Sequence, residues 1–177
     1  MPILSYKNKT PKLGHGCFIA PNSTIIGDVK MGSLSSSWFG TVIRADVFHI
    51  RIGSNTNIQD NTVVHVTTNK YSTIIGNNVT VGHSVTLHGC TISDNALIGI
   101  GSIVMDRCEI GEWSILAAGS VLKPGTKIPS GELWGGLPAK EIRKVDENER
   151  TWIKELSDNY VKLSTEYLYN NDKTSPL

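Results

Sequence analysis

The chain has 177 residues, 39% apolar and 19% charged, with a formal net charge of +1, enough to bury one core and too evenly charged for a phosphate-neutralising surface. Its N-terminal apolar run is too short for a secretion signal and no 18-residue apolar span occurs, so neither a leader nor a membrane segment is expected and the cytoplasm is the expected compartment. Cys17, Cys90 and Cys108 are odd in number and lack any C-x-x-C spacing, which excludes a disulfide framework and a zinc knuckle.

From Leu13 the chain repeats every six residues. Apolar rungs run through Ile19, Ile25, Met31 and Ile43, with Ser37 in phase, then Ile52, Ile58 and Val64, then Ile75, Val81 and Leu87. From Ile92 eight consecutive rungs follow without a break to Trp134, a pattern that chance supplies about once in 300 at this composition. The register slips by three extra residues before Ile52, by five extra before Ile75 and by one fewer before Ile92. Two residues before each rung stands a second column of small or β-branched side chains, which contains all three cysteines and marks them as inert packing residues.

Helices repeat at 3.6 and strands at 2, so a period of six requires a coil of short parallel strands, with three hexads to a turn and the rungs stacked inside. Glycines after rungs, as in "IIGNN", "IGIGS" and "EIGEW", are expected at the corners. After "GELWGGLPAKEIRKV" the pattern becomes helical: Asp146 is a candidate cap, and Trp152, Ile153, Leu156, Tyr160, Leu163 and Tyr167 form an apolar stripe to be laid on a prism face or a neighbouring subunit. The expected layout is an all-β solenoid over residues 1–145, a C-terminal α-helix over 146–170 and a flexible tail over 171–177.

The ladder also places the histidines. His65 follows rung Val64 and His88 follows rung Leu87, three hexads on, so the two stack on one outer face, close enough to share a metal. Arg44 follows rung Ile43 and belongs to the same column, whereas His83 lies on a different face with Gln59. A second subunit can present its His83 to the first subunit's pair, and a three-sided prism lends itself to threefold closure. Spacing alone leaves a metal site and ordinary solvated histidines equally open.

The run "RADV…QDNTVVHV…VGHSVTLHGC…GGLPAKEIR" resembles the gamma-class carbonic anhydrase-like hexapeptide-repeat proteins from about residue 12 to 168. The resemblance implies a left-handed parallel β-helix, a homotrimer, and reversible hydration of CO2 to bicarbonate by a metal-bound hydroxide at each subunit interface, with no nucleic-acid or membrane partner. It assigns His65 and His88 of one subunit and His83 of the next to zinc, with Fe(II) or Co(II) also suited to three imidazoles. It further implies that Gln59 positions water or bicarbonate, that Arg44, Asp46 and Asp60 form a charged interfacial network, and that Tyr160, with Asn159, lines the site. The chain departs from the better-characterised members at Val47 and in "VTTNKY", where they carry acidic proton-transfer residues. The alternatives are an acyltransferase or acyl-CoA thioesterase on the same scaffold, or a non-catalytic trimeric metal-binding protein.

Overall fold

Inter-turn hydrogen bonding locks the rungs into vertical register: Ile58 pairs with Val81, Val81 with Ile98, Ile98 with Leu116 and Leu116 with Trp134. The computed structural model describes residues 3–173, with side chains through Asn170. Within it the chain winds as a left-handed parallel β-helix of about seven turns followed by one α-helix. Two faces are joined through the long bent strand Val42–Ile52, whose two halves pair with Val63–His65 and Thr73–Ile75. The third face is a separate sheet running from Phe18–Ile19 to Ala139–Lys144.

The interior is the ladder. Ile25, Ile43, Ile58, Val64, Val81, Leu87, Ile98, Val104, Leu116 and Leu122 have no exposed surface. The small column is equally buried, and its hydroxyls are satisfied by the next turn's carbonyls: Thr41 Oγ1 donates to Gln59 O at 3.0 Å, Thr56 Oγ1 to Gly76 O at 2.7 Å and Ser102 Oγ to Ala117 O at 3.0 Å. These bonds remove the cost of burying polar groups in a dry core. Cys17 and Cys108 donate likewise, to Gly32 O and Lys123 O, each at 3.1 Å, and burial raises the Cys90 thiol far above its ordinary range.

The corners meet expectation in part: Gly16, Gly40, Gly101, Gly119, Gly125 and Gly131 take positive φ at them, but other residues do so too. Asn55, Asn61, Asn78, Asn95, Ser84 and Trp113 take the left-handed conformation there, with φ between 55° and 58°, whereas Gly53, Gly76, Gly82, Gly99 and Gly111, which directly follow rungs, do not. Those glycines are needed for close approach: a Cβ on Gly53 would stand 2.5 Å from Gly76 C, in the turn above. Asparagine tolerates the left-handed region better than other side-chain-bearing residues, so the corner positions do not require glycine.

Beyond the last rung the chain reverses, and Glu132–Gly136 pairs antiparallel with Ala139–Lys144, which periodicity alone did not announce. The helix, Glu147–Lys173, opens with a reciprocal capping box: Glu149 N donates to Asp146 Oδ1 at 2.9 Å and Asp146 N to Glu149 Oε2 at 3.0 Å. It lies against the third face, over Phe18–Ile19, Ser36–Ser37, Asn57–Ile58 and Thr80–Val81. Its buried stripe is Ile153, Ser157 and Ser164, while Trp152, Leu163 and Tyr167 of the expected stripe are exposed. The serines let the helix approach closely enough for Ser157 Oγ to donate to Asn55 O at 2.8 Å. Positions beyond Lys173, within the expected tail, lie outside the described residues. No helix among the described residues is long and apolar enough to cross a membrane.

Leu116→Ala removes a side chain with no exposed surface and is expected to destabilise by about 2–5 kcal/mol. Leu137→Ala, at a residue 77% exposed, should stay within about 0.5 kcal/mol; urea unfolding of the two variants distinguishes them. The Arg143 guanidinium donates to both Glu149 oxygens, the chief cause holding that carboxyl down at about 2 from an ordinary 4.5. The cap's contribution is therefore present above pH 4.5 and is lost as pH falls toward 2. Glu149→Gln should lower Tm at neutral pH, with the gap from the wild type closing across that window.

Candidate metal centre

The register that stacks rungs Val64 and Leu87 also pairs His65 with His88, and their ring centroids lie 5.2 Å apart. His65 Nδ1 faces His88 Nε2 at 3.2 Å. The remaining nitrogen of each ring meets a carboxylate: His65 Nε2 contacts Asp46 Oδ1 at 3.0 Å, and His88 Nδ1 contacts Asp106 Oδ1 at 2.7 Å. An ionised carboxylate only accepts, so each of these nitrogens carries the ring proton. With both rings neutral, the facing nitrogens present two lone pairs to each other, an arrangement that favours a cation between them. Two nitrogens bound to tetrahedral zinc at about 2.05 Å would stand ~3.3 Å apart, close to the observed separation.

Asp46 is held by two donors, His65 and the Arg44 guanidinium. Burial alone would raise its carboxyl, but these two together keep it below its usual range. The side chain thus remains an anion that fixes the His65 tautomer.

His83 stands at the corner where the third face ends. Its Nδ1 meets Asp60 Oδ2 at 2.8 Å, which leaves Nε2 as the lone-pair nitrogen, and its side chain is 42% exposed against 17% for His65 and 32% for His88. Among the described residues no three His, Cys, Asp or Glu side chains converge to hold an ion: one chain presents a pair on one face and a single imidazole at a corner. Each of the three histidines has a carboxylate at one ring nitrogen and a lone pair at the other, a donor set that fits a divalent transition metal.

Beside His83 a cavity of about 460 Å³ opens between the third face and the helix, lined by Gln59, Thr80, Leu97, Ile100, Ala117 and Tyr160 among others. Gln59 is 4% exposed; its Nε2 donates to Asn57 Oδ1 at 3.0 Å, and Asn57 Nδ2 donates to Thr80 Oγ1 at 2.9 Å. The Tyr160 ring meets Trp38 edge-on, centroids 5.3 Å apart; burial, with the Asp60 charge as a smaller cause, raises its hydroxyl's pKa. The structure thus gathers Gln59, Asp60, His83 and Tyr160 at one corner, and Arg44, Asp46, His65 and His88 on the adjoining face.

Asp106 and Thr67 were missed in the sequence. Thr67 Oγ1 donates to Asp106 Oδ1 and Oδ2 at 3.0 and 2.9 Å. The usable signal was distance along the coil, since Asp106 follows His88 by 18 residues, one residue beyond the turn that stacks Leu87 and Val104. Val47, in contrast, packs against the core.

Fold and site together define a hexapeptide-repeat β-helix protein bearing two parts of a histidine centre. Residues 89–124 match the bacterial transferase hexapeptide (six repeats) family. A carbonic anhydrase of Geobacillus kaustophilus is 46% identical, covering 93% of this chain and 90% of that one. The mitochondrial gamma carbonic anhydrase 2 of Arabidopsis thaliana is 44% identical over 97% of this chain, which spans 64% of that relative's length. A crystal structure of a hexapeptide transferase family protein from Anaplasma phagocytophilum is 48% identical, covering 94% of this chain and 98% of that one, with a TM-score of 0.90. The chain belongs to the gamma-class carbonic anhydrase-like family of hexapeptide-repeat proteins.

Proposed function

We propose that this protein hydrates CO2 reversibly to bicarbonate as a homotrimer, with His65 and His88 of one subunit and His83 of the next holding zinc at each interface. The observation that carries the reading is the pair of imidazole nitrogens facing each other at 3.2 Å, each ring backed by a carboxylate at its other nitrogen. The carbonic anhydrase names of the relatives support it. Fe(II) and Co(II) fit the same three nitrogens, and the cytoplasm is the compartment this reading assumes.

Bound there, zinc supplies a hydroxide nucleophile at neutral pH. The chain's own groups do the rest. Asp46, Asp60 and Asp106 hold three neutral imidazoles in the ligating tautomer. The Gln59 amide, fixed through Asn57 and Thr80, orients water or bicarbonate beside His83. Tyr160 closes the cavity on the helix side, and its apolar walls keep competing water away from CO2. Arg44 holds Asp46 in place, so the face carrying His65 stays ordered for docking by a neighbour.

His65→Ala and His83→Ala proteins made separately should each lose tight zinc binding. Refolded together in equal amounts, they should recover roughly a quarter of the wild-type zinc and activity, because an intact ordered pair forms at about one interface in four. His65→Ala mixed with His88→Ala should recover none, since both losses fall on the same contributing chain. Zinc recovery in the second mixture would overturn the placement of His83 across the interface.

Val47 is apolar and packed inward, and residues 66–72 contain no carboxylate, so hydroxide regeneration is expected to limit turnover. Imidazole buffer should then raise kcat and leave kcat/KM nearly unchanged in stopped-flow CO2 hydration; a flat response would argue against this step being limiting.

A second reading, acyl transfer or acyl thioester hydrolysis, is favoured by the largely apolar cavity beside His83 and by the transferase name of the Anaplasma relative. Turnover of acyl-CoA that survives complete zinc removal would select it.

A further inference from the structure

The ladder is broken at three places, and the breaks lie beside the histidines. The five extra residues before Ile75 form an excursion from strand Val63–His65, closed on itself by Thr67 N donating to Tyr71 O at 3.0 Å. Asn69 N ties it to Val47 O at 3.1 Å, in the stretch made by the first slip, beside Asp46. The excursion contributes one polar contact to the neighbourhood of the centre, the Thr67 hydroxyl on Asp106. Asp106 in turn is the only group within hydrogen-bond distance of His88 Nδ1 among the described residues.

We propose that Asp106 is the positioning residue of His88 and that Thr67 clamps it, the excursion over 66–72 being the element that delivers the clamp. The proposal rests on His88 being a metal ligand. Three features converge on it. Thr67 Oγ1 lies 2.9–3.0 Å from both carboxylate oxygens, so Asp106 cannot rotate about its last bond without weakening that contact. Asp106 Oδ1 lies 2.7 Å from His88 Nδ1, which puts the ring proton on Nδ1 and the lone pair on Nε2, 3.2 Å from His65 Nδ1. The residue that would obstruct this approach is Gly89, at φ 59°, where a Cβ would collide with Asp106 Oδ1 and stand 3.0 Å from Tyr71 Cβ. The third slip, one residue fewer before Ile92, makes this turn 17 residues long: rung Leu87 opposes Val104, so Asp106 stands one residue past the position level with His88 and its side chain reaches back to the ring.

Asp106 touches the far side of the imidazole from His65, so it does not meet a reacting atom. Its effect is carried through the His88 ring: an imidazole in solution prefers its proton on the nitrogen that here must ligate, and the carboxylate reverses that preference.

The test uses the full-length trimer and four proteins: wild type, Asp106→Ala, Asp106→Asn and Thr67→Val. The His88 tautomer is read from long-range proton–nitrogen correlation spectra of metal-free protein at pH 8, and zinc affinity from competition with a chromophoric chelator. Wild type is expected to carry the proton on Nδ1. Asp106→Ala should move it to Nε2 and weaken zinc binding about 10- to 100-fold. Asp106→Asn retains an accepting oxygen, so it should keep the Nδ1 proton and lose less affinity than alanine does. Thr67→Val, nearly isosteric, should weaken zinc severalfold. A folded Asp106→Ala trimer with wild-type zinc affinity and unchanged tautomer would overturn the proposal, and Thr67→Val with wild-type affinity would overturn the clamp. A wild type that binds no zinc but shows the Nδ1 proton, lost in Asp106→Ala, would instead sink the metal reading and leave the positioning intact.

Discussion

Everything in this molecule depends on the hydrogen-bonded stacking of one turn on the next. Parallel strands repeat at about 4.8 Å, so a side chain three hexads along the chain stands directly above its counterpart unless an insertion intervenes. The constraint explains the interior, where rungs pair with rungs from Ile19↔Ser37 to Leu116↔Trp134. It also explains the small column. Buried residues such as Thr41, Thr56 and Ser102 find a carbonyl of the next turn within reach of their hydroxyls, so polar residues enter the core without loss. On the outer face the same repeat gives two imidazoles a separation suited to a shared ion.

A period of six is legible because neither helix nor hairpin generates it, and the stacking of His65 on His88 followed from counting rungs across an insertion. Other features needed coordinates for identifiable reasons. The left-handed corners are shared between asparagines and glycines such as Gly40, Gly101 and Gly119, while the glycines directly after rungs serve inter-turn contact, which the sequence does not distinguish from turning. The helix was placed by its apolar stripe, but the face it buries includes Ser157 and Ser164, because close approach to a sheet selects small residues as well as apolar ones. Asp106 was overlooked because attention fell on carboxylates near the histidines in sequence, while stacking makes a residue 18 positions away a nearer neighbour.

The register breaks acquire a common sense in this light. An unbroken ladder gives each turn an identical edge and no means of supporting a site. The first slip lies in the bent strand Val42–Ile52 and carries Asp46 to His65. The second builds the excursion that brings Thr67 to Asp106, and the third tightens the corner beneath it. Regularity supplies the core and the vertical spacing, and departures from it supply the groups that orient the imidazoles.

The charge distribution argues for the same organisation. Asp46, Asp60 and Asp106 each face one histidine nitrogen, and among the described residues only Asp46 of the three has a permanently charged partner, Arg44. With neutral imidazoles, these groups leave two uncompensated negative charges in the proposed interfacial centre, partly shielded from water. A divalent ion bound by three nitrogens cancels that excess without adding a charged ligand, so the carboxylates favour the ion over long range while the imidazoles bind it directly. Replacing any one of them by alanine would therefore weaken the site twice, by releasing a tautomer and by removing a counter-charge. In the proposed trimer, loss of the metal would leave two carboxylate excesses facing each other across each interface. Metal binding and subunit association are then thermodynamically linked, each strengthening the other.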